Sequence, residues 1–268
     1  MAWCEAIIAF DVAIQAEIDA LEVLAPTSLT TRTGYGKPKV THFAAFVSND
    51  NVARVYCVPS GYADANGFTA PLVNIYGAAS LCDMEKSRLP VPIEVPENTL
   101  MTIYAQSETA ADSVVFAWML LEYPGKGNFV DCPGSGAMTQ RAWEAGAALA
   151  SNVAANSTDL NTLQAGRRYW VSGVGKAAVN GETAGCVGPA FIKFRNSEFE
   201  GAEFWIPLIN NGGYAANGIG GADFVDFKAC GIKSCIVAGG TPFQTACVGY
   251  TVEQPQAVIA YVVDKLFA

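Results

Sequence analysis

The chain has 268 residues, of which 51% are hydrophobic and only 15% are charged, and its formal net charge is −9. A charged share so far below the usual value of about 25% argues against a disordered tail protein and a coiled coil. With 16 Lys and Arg residues and one His, the chain lacks the clustered cations that phosphate neutralisation requires, so we expect no direct contact with nucleic acid.

Residues 1–27 are predicted to form an amphipathic N-terminal helix. Apolar side chains recur at spacings of three and four from Trp3 through Phe10 to Leu24, which is typical of a helical stripe. The segment has no basic region, so a secretory signal is not expected. Trp3 and Phe10 are the candidates for contact with the same subunit, a neighbouring subunit or a membrane surface.

Residues 28–128 are predicted to form a first β domain. The sequence has short runs of β-branched and aromatic residues separated by turn residues, and no helix of βαβ spacing lies between them, which indicates an antiparallel sandwich or barrel. His42 is the only histidine, and its apolar neighbours make it a structural or surface residue in this interpretation. The predicted strands are residues 40–47, 52–58, 72–76, 91–95, 99–105 and 114–123.

Residues 129–156 are predicted to be a linker with a helix over 138–154, and residues 157–268 a second β domain. The helix prediction is based on a weaker apolar stripe interrupted by Gly146. The all-β chain therefore has two tandem units, each preceded by a helix. The strands predicted in the second unit are residues 168–174, 190–195, 204–209, 224–229, 233–238, 245–253 and 257–263.

An internal repeat of about half the chain supports two domains of one kind. The segment Phe68–Asn74 recurs as Phe204–Asn210, 136 residues later. Val40 and Phe43 align with Val171 and Val174 at an offset of 131. The segment 103–124 aligns with 236–255 at offsets of 133 falling to 131. The order and spacing predict a duplication.

Side chains that could carry chemistry are sparse. The eight cysteines are scattered without a C-x-x-C pair, so we interpret them as reduced core residues and expect neither a metal nor another cofactor. An acidic group comprises Glu198, Glu200 and Glu203, with Asp223 and Asp226 beyond the glycine-rich loop. It forms a solvated rim, a calcium site or the paired carboxylates of a glycosidase. No nucleophile–base motif is present, so we do not expect an enzyme.

Two basic residues and one aromatic residue are candidates for contacts between domains or subunits. Arg167 and Arg168 form the only basic dipeptide, and Trp143 lies in the predicted linker helix. Arginine and tryptophan are enriched at the energetically important centres of interfaces. Trp3, Phe10, Trp143, Arg167 and Arg168 are thus the candidate subunit contacts.

The chain resembles the viral double jelly-roll major capsid proteins. The strand Phe204-Trp205-Ile206-Pro207-Leu208, which enters a glycine-rich loop, and its partner at Phe68–Leu72 are similar to the Pro-Leu strands of that family. The resemblance covers residues 28–263 and implies that 28–128 and 157–268 are jelly rolls. Short loops between the strands depart from the family's larger members and put receptor or turret functions in doubt.

The resemblance further implies a structural capsid protein of the virion, synthesised in the host cytoplasm. Homotrimers of pseudo-hexameric outline would tile an icosahedral shell over an internal membrane, and the partners would be other copies of the chain, minor capsid proteins and membrane lipid. The alternative is a carbohydrate-binding or adhesive β-sandwich, because jelly rolls also form lectins. An enzyme built on a double barrel has the least support.

Overall fold

In the part of the chain that the computed structural model describes, antiparallel β-structure predominates, which confirms the prediction of an all-β chain. The chain divides into two compact units: an N-terminal unit of Ala2–Cys82 and Lys86–Lys126, and a C-terminal unit that is chiefly Gly127–Ala268. The structure describes residues 1–14, 18–20, 22–23, 30–47, 52–60, 74–75, 87–107, 113–133, 138–144, 155–160, 162–178, 190–195, 204–208, 222–240, 243–249 and 255–264.

The N-terminal unit contains two sheets. One has the strand order β3-β1-β9-β4-β7 and the other the order β2-β8-β5-β6. The strands are β1 (Ala2–Ile14), β2 (Ile18–Ala20), β3 (Glu22–Val23), β4 (Lys39–Val47), β5 (Val52–Pro59), β6 (Asn74–Ile75), β7 (Arg88–Glu94), β8 (Met101–Ser107) and β9 (Ser113–Pro124).

The C-terminal unit also contains two sheets. Their orders are β11-β19-β13-β17-β10, with β16 also paired to β13, and β12-β18-β14-β15. The elements are β10 (Phe129–Val130), β11 (Met138–Glu144), β12 (Ala155–Leu160), β13 (Arg168–Ala178), β14 (Ala190–Arg195), β15 (Trp205–Leu208), β16 (Ala222–Asp226), α1 (Phe227–Cys230), β17 (Ser234–Ala238), β18 (Phe243–Gly249) and β19 (Pro255–Asp264).

The two units share one strand order. If β3, β10 and β16 are set aside, the described residues of each unit form eight strands, of which the first, eighth, third and sixth form one sheet. The second, seventh, fourth and fifth form the other sheet. Strands β4 and β13 therefore hold equivalent positions, as do β9 and β19.

A β-bulge falls at the same place in both units. In β4 the extra residue is Thr41, because Val40 pairs with Leu121 and His42 with Leu120. In β13 it is Ser172, between the pairs Val171–Val262 and Gly173–Tyr261. Each bulged hydroxyl donates to a carbonyl of the neighbouring strand, Thr41 to Leu120 at 3.4 Å and Ser172 to Tyr261 at 3.1 Å. The hydroxyls thus bond across a site where the backbone ladder is disrupted.

A tight turn is also repeated. The backbone N–H of Asn98 donates to the Thr31 carbonyl at 3.0 Å, and that of Gly240 donates to the Leu163 carbonyl at 2.8 Å. Both turn residues have positive φ, 54° at Asn98 and 87° at Gly240. This left-handed conformation suits glycine and is tolerated by asparagine, so the two turns meet one backbone requirement with different residues.

Buried aromatic side chains form the core of each unit. In the N-terminal unit, Trp118 and Phe43 are at most 2% exposed. In the C-terminal unit the ring of Phe204 packs 4.9 Å from Phe129 and 6.0 Å from Phe227, measured between ring centroids. Burial of each such ring stabilises the fold by roughly 2–3 kcal/mol.

The predicted N-terminal helix is wrong, because residues 2–14 form strand β1. Every residue from Ala2 to Ile8 is buried, including those between the positions of the apolar stripe. A strand buried on both faces is nearly continuously apolar and cannot be distinguished from a buried helix by periodicity alone. The predicted helix over 138–154 is wrong at its start, where β11 pairs with β19, and residues 145–154 lie outside the described residues.

Each predicted strand segment overlaps an observed strand, with one change of element at residues 224–229. There β16 ends at Asp226, and α1 follows because the Asp226 carboxylate caps its first turn. The repeat alignment holds in part. The pair His42–Leu120 is equivalent to the pair Gly173–Tyr261. His42 and Gly173 are separated by the expected 131 residues, whereas Leu120 and Tyr261 are separated by 141. The alignment of 103–124 with 236–255 is therefore out of register.

Because the turns at Asn98 and Gly240 are equivalent, we can predict which residues are tolerated at position 98. Asn98→Gly should leave the free energy of unfolding within about 0.5 kcal/mol, because glycine already fills the equivalent turn. Asn98→Val should lower it by about 1–2 kcal/mol, since a β-branched residue is strained at positive φ. Urea denaturation of both variants measures the difference, and equal tolerance of glycine and valine would contradict the equivalence.

Candidate functional site

Among the described residues of the N-terminal unit, a closely bonded polar cluster joins β1 to the segment that precedes β4. Glu5 of β1 is only 3% exposed. Its carboxylate accepts two hydrogen bonds from Arg32, from Nε at 3.1 Å and from Nη2 at 2.9 Å. This bidentate geometry is the strongest form of an Arg–carboxylate pair. The pair ties together segments that are 27 residues apart in the chain.

Aromatic side chains enclose this ion pair. The guanidinium carbon of Arg32 lies 5.6 Å from the ring centroid of Trp3 and 5.8 Å from that of Tyr35. The Tyr123 hydroxyl donates to Glu5 at 3.3 Å and accepts the backbone N–H of Arg32 at 3.0 Å. Donors and acceptors therefore satisfy one another, which is the arrangement of a structural pair.

The ionisation of the cluster agrees with that interpretation. Burial lowers the pKa of Arg32, but the hydrogen bond and charge of Glu5 outweigh burial and raise it overall. Burial, the largest influence on Tyr123, raises its pKa well above the usual range. Arg32 is thus held charged and Tyr123 neutral across the physiological range.

A carboxylate also anchors the loop that carries Arg32. Glu97 accepts the backbone N–H groups of Gly34 at 3.1 Å and Gly36 at 2.5 Å. Gly36 has a φ of +83°, and a Cβ atom there would lie 2.9 Å from the Pro124 side chain. Glycine is therefore required at that position for both conformation and space.

In the C-terminal unit, Arg167 and Arg168 differ in environment. Arg167 donates from Nη1 to the buried Asp264 carboxylate at 2.5 Å, across 97 residues of chain. Arg168 is exposed at the start of β13, where it pairs with Ala238. The structure thus gives Arg167 a partner within its own unit and leaves Arg168 on the surface.

Within the C-terminal unit, the structure does not bring the candidate contact residues Trp143 and Arg168 together. Trp143 of β11 pairs with Val258, which also pairs with Lys176 of β13. Across the sheet, Trp143 is therefore aligned with Lys176, which lies eight residues along β13 from Arg168. Those eight residues of strand separate Arg168 from Lys176 by about 26 Å. Trp3 is 7% exposed, and Phe10 pairs with Phe116 in the N-terminal unit. The role of these residues in subunit contacts stays a prediction.

His42 occupies an interior position. Its side chain is 1% exposed, its Nδ1 lies 2.8 Å from the Thr41 hydroxyl oxygen, and its ring packs 5.8 Å from Trp118. These contacts agree with the structural alternative for this residue.

One member of the acidic group has a structural role. The Asp226 carboxylate accepts the backbone N–H groups of Lys228 at 2.8 Å and Ala229 at 3.2 Å, and so caps α1. Glu198, Glu200 and Glu203 lie outside the described residues. Within the described part of the chain, no group of three or more His, Cys, Asp or Glu side chains could hold a metal ion.

The described cysteines are mostly buried. Cys57 is fully buried, and burial raises the pKa of its thiol to about 12. For the half-buried Cys132, burial, followed by the charges of Asp226 and Asp131, raises the pKa to about 11. Both thiols therefore stay protonated at neutral pH, which disfavours nucleophilic chemistry.

Sequence reasoning missed the Glu5–Arg32 pair. A signal was present, because Arg32 is the first Lys or Arg in the chain and follows a segment with several carboxylates. An amphipathic helix over residues 1–27 would place Glu5 on its polar face, whereas strand β1 places it in the interior.

No protein-family model matches the chain, and no curated protein matches it. The chain is similar to a solved structure described as PBSX exported protein XepA, at 12% identity and a TM-score of 0.28, over 96% of this chain and 86% of that one. A TM-score this low does not establish a common fold. Among the described residues, no helix is long and apolar enough to cross a membrane.

Because Glu5 is buried and pairs with Arg32, we expect even a conservative substitution of Glu5 to lower stability. Glu5→Gln should lower the free energy of unfolding by about 2–3 kcal/mol, because it leaves the half-buried Arg32 guanidinium without its carboxylate. The exposed pair Lys37–Glu94, at 3.6 Å, provides the control. Lys37→Gln should cost less than about 1 kcal/mol in urea denaturation, and similar losses in both variants would contradict the assigned role of Glu5.

The buried thiol of Cys57 predicts an alkaline loss of stability. Its pKa is raised from 9.0 to about 12 on folding, so its contribution is full below pH 9 and is lost as the pH rises from 9 to 12. Cys57→Ala should therefore show a shallower fall in unfolding free energy over that range, measured by urea denaturation at several pH values. An unchanged slope would show that the thiol ionises as readily in the folded chain as in the unfolded one.

Proposed function

We propose that the chain is a structural capsid protein in which each unit is a jelly roll. Three copies would form a trimer of pseudo-hexameric outline, and trimers would tile an icosahedral virion shell over an internal membrane. The partners would be other copies of the chain, with minor capsid proteins and membrane lipid as further contacts.

The observation that carries this proposal is the repeated strand order. An eight-stranded jelly roll places strands 1, 8, 3 and 6 in one sheet and strands 2, 7, 4 and 5 in the other. The orders β1-β9-β4-β7 and β2-β8-β5-β6 agree with that arrangement, and so do β11-β19-β13-β17 and β12-β18-β14-β15.

Repetition within one chain supports a pseudo-sixfold outline. Two units of the same strand order offer similar surfaces, so a closed ring of three chains contains six similar blocks. The shared bulge and turn extend the likeness from strand order to the position of single residues.

The polar chemistry of the described residues also favours a structural role. Glu5 with Arg32 and Arg167 with Asp264 are ion pairs within a unit, each joining segments that are distant in the chain. Such pairs fix segments in position. The net charge of −9 is acceptable in a shell that an internal membrane separates from the genome, because such a shell need not neutralise phosphates.

Light scattering after size exclusion, with negative-stain images of the main peak, tests the proposal. We expect a mass of three chains of 28.2 kDa, or larger particles of hexagonal outline. A monomer that persists at all concentrations would contradict the proposal. A glycan-binding screen would then test the carbohydrate-binding alternative.

Substitutions at the predicted contacts separate assembly from folding. Arg168→Ala and Trp143→Ala should leave a folded subunit, judged by circular dichroism, with a smaller assembled fraction in the same size-exclusion experiment. Arg167→Ala serves as the comparison, because loss of its bond to the buried Asp264 should lower the unfolding free energy by about 2–3 kcal/mol. Normal assembly of both Arg168→Ala and Trp143→Ala would remove these residues from the interface.

A further inference from the structure

Strand β7 forms an exposed edge of the N-terminal unit. Among the described residues it pairs only with β4, and five of its seven residues are exposed. Val91, at its centre, is 73% exposed, which is unusual for a large apolar side chain in a strand.

The edge is unsuited to adding another hydrogen-bonded strand. Pro90 and Pro92 lack the N–H group that a ladder requires, and proline on an edge is a known block to strand addition. The ladder to β4 is interrupted here as well, because the four residues 89–92 lie between the pairs Val40–Ile93 and His42–Arg88 and face Thr41 alone. A partner at this edge must therefore contact side chains.

The equivalent edge of the other unit is covered. Strand β17 holds the position in the C-terminal unit that β7 holds in the N-terminal unit. Its outer edge pairs with β10, through Phe129 with Cys235 and Val130 with Ser234. The outer edge of β17 thus pairs with a strand of its own unit, whereas no strand among the described residues pairs with the outer edge of β7.

The sequence of β7 is complementary to itself when reversed. Arg88 and Glu94 lie three residues on either side of Val91, with Leu89 opposite Ile93 and Pro90 opposite Pro92. If two such strands meet antiparallel about a two-fold axis at Val91, each cation faces an anion and each apolar residue faces an apolar one. Isologous contacts require this self-complementarity.

We propose that β7 is a two-fold contact between two copies of this chain. Val91 lies on the axis against Val91 of the partner subunit, and Arg88 pairs with Glu94 of the partner subunit at both ends. Glu94 is accessible for this role, because its pair with Lys37 is loose at 3.6 Å and leaves 55% of its side chain exposed. The inference does not depend on the proposed shell, since a two-fold contact suits other assemblies equally.

The contact is small. Seven extended residues span about 20 Å, so the buried area falls at the low end of specific interfaces. We therefore expect weak association through this edge alone, with strength arising where other contacts hold many copies together. Cross-linking is the suitable first readout.

A cysteine that lies on a two-fold axis can form a disulfide with the same cysteine of the partner subunit. Purified Val91→Cys should give a covalent dimer on mild oxidation, resolved on a non-reducing gel. The matched control is Leu100→Cys, at a position 50% exposed in the same unit, and the unaltered chain reports the background from its eight native cysteines. Equal dimer yields at positions 91 and 100, or none at 91, would overturn the proposal.

Charge reversal in the Val91→Cys background tests the pairing across the axis. Arg88→Glu alone places two anions together at each end and should reduce the rate of cross-linking at least about tenfold. Adding Glu94→Arg restores complementarity and should restore the rate. Lys228→Glu makes the same change of charge at an exposed site in the C-terminal unit and should have little effect.

The cross-linking experiment tests the contact at β7 separately from the proposed capsid shell. If the single reversal slows cross-linking and the double reversal does not restore it, the partner surface is not β7 and the proposal fails. Circular dichroism of each variant ensures that a loss reflects the contact and not the fold. The mass measured without cross-linking reports separately on the trimer.

Discussion

Pairing between the first and last strands is the constraint on which each unit depends. Strand β9 lies between β1 and β4, and β19 lies between β11 and β13, so neither sheet is continuous until the last strand is in place. The register of β1 with β9 pairs Glu5 with Leu121 and Trp3 with Tyr123. It therefore brings the carboxylate of Glu5 to the Tyr123 hydroxyl and the Arg32 guanidinium. The ion pair then fixes the loop that leads into β4, whose bulge sets the register with β9.

The two units conserve backbone geometry more strictly than side-chain identity. The bulge keeps a hydroxyl, as Thr41 or Ser172, because that group bonds a carbonyl of the neighbouring strand. The positive-φ turn accepts Asn98 or Gly240, since either residue can adopt the conformation. The buried ion pairs are built differently, with the acid on the first strand in one unit and on the last in the other. A fold of this kind fixes where backbone groups need partners and leaves open which side chains supply them.

The sequence predicted the strands well, because alternation and turn residues are local signals. It failed at β1, where burial of both faces removes the alternation that separates a strand from a helix. It located part of the repeat at an offset of 131, but loops of different length move the last strands to an offset of 141. The sequence shows Arg32 as the first cation after several carboxylates, but it does not show that Glu5 is the carboxylate that pairs with it. That pairing and the exposed edge at Val91 both depend on which strands become neighbours. Arg167 was predicted to contact another domain or subunit, whereas the structure pairs it with Asp264 of its own unit, a partner that only the sheet order reveals.

The large sequence separation between β1 and its partner β9 has a consequence during protein synthesis. Ala2 pairs with Pro124, so β1 must wait while the ribosome adds more than one hundred further residues. At about 5–20 residues per second, that interval lasts roughly 6–25 s. Throughout it, a highly apolar segment has left the ribosome without the strand that covers it. Slow closure of distant strands makes this stage sensitive to aggregation, so β1 needs protection from premature association until β9 has been synthesised.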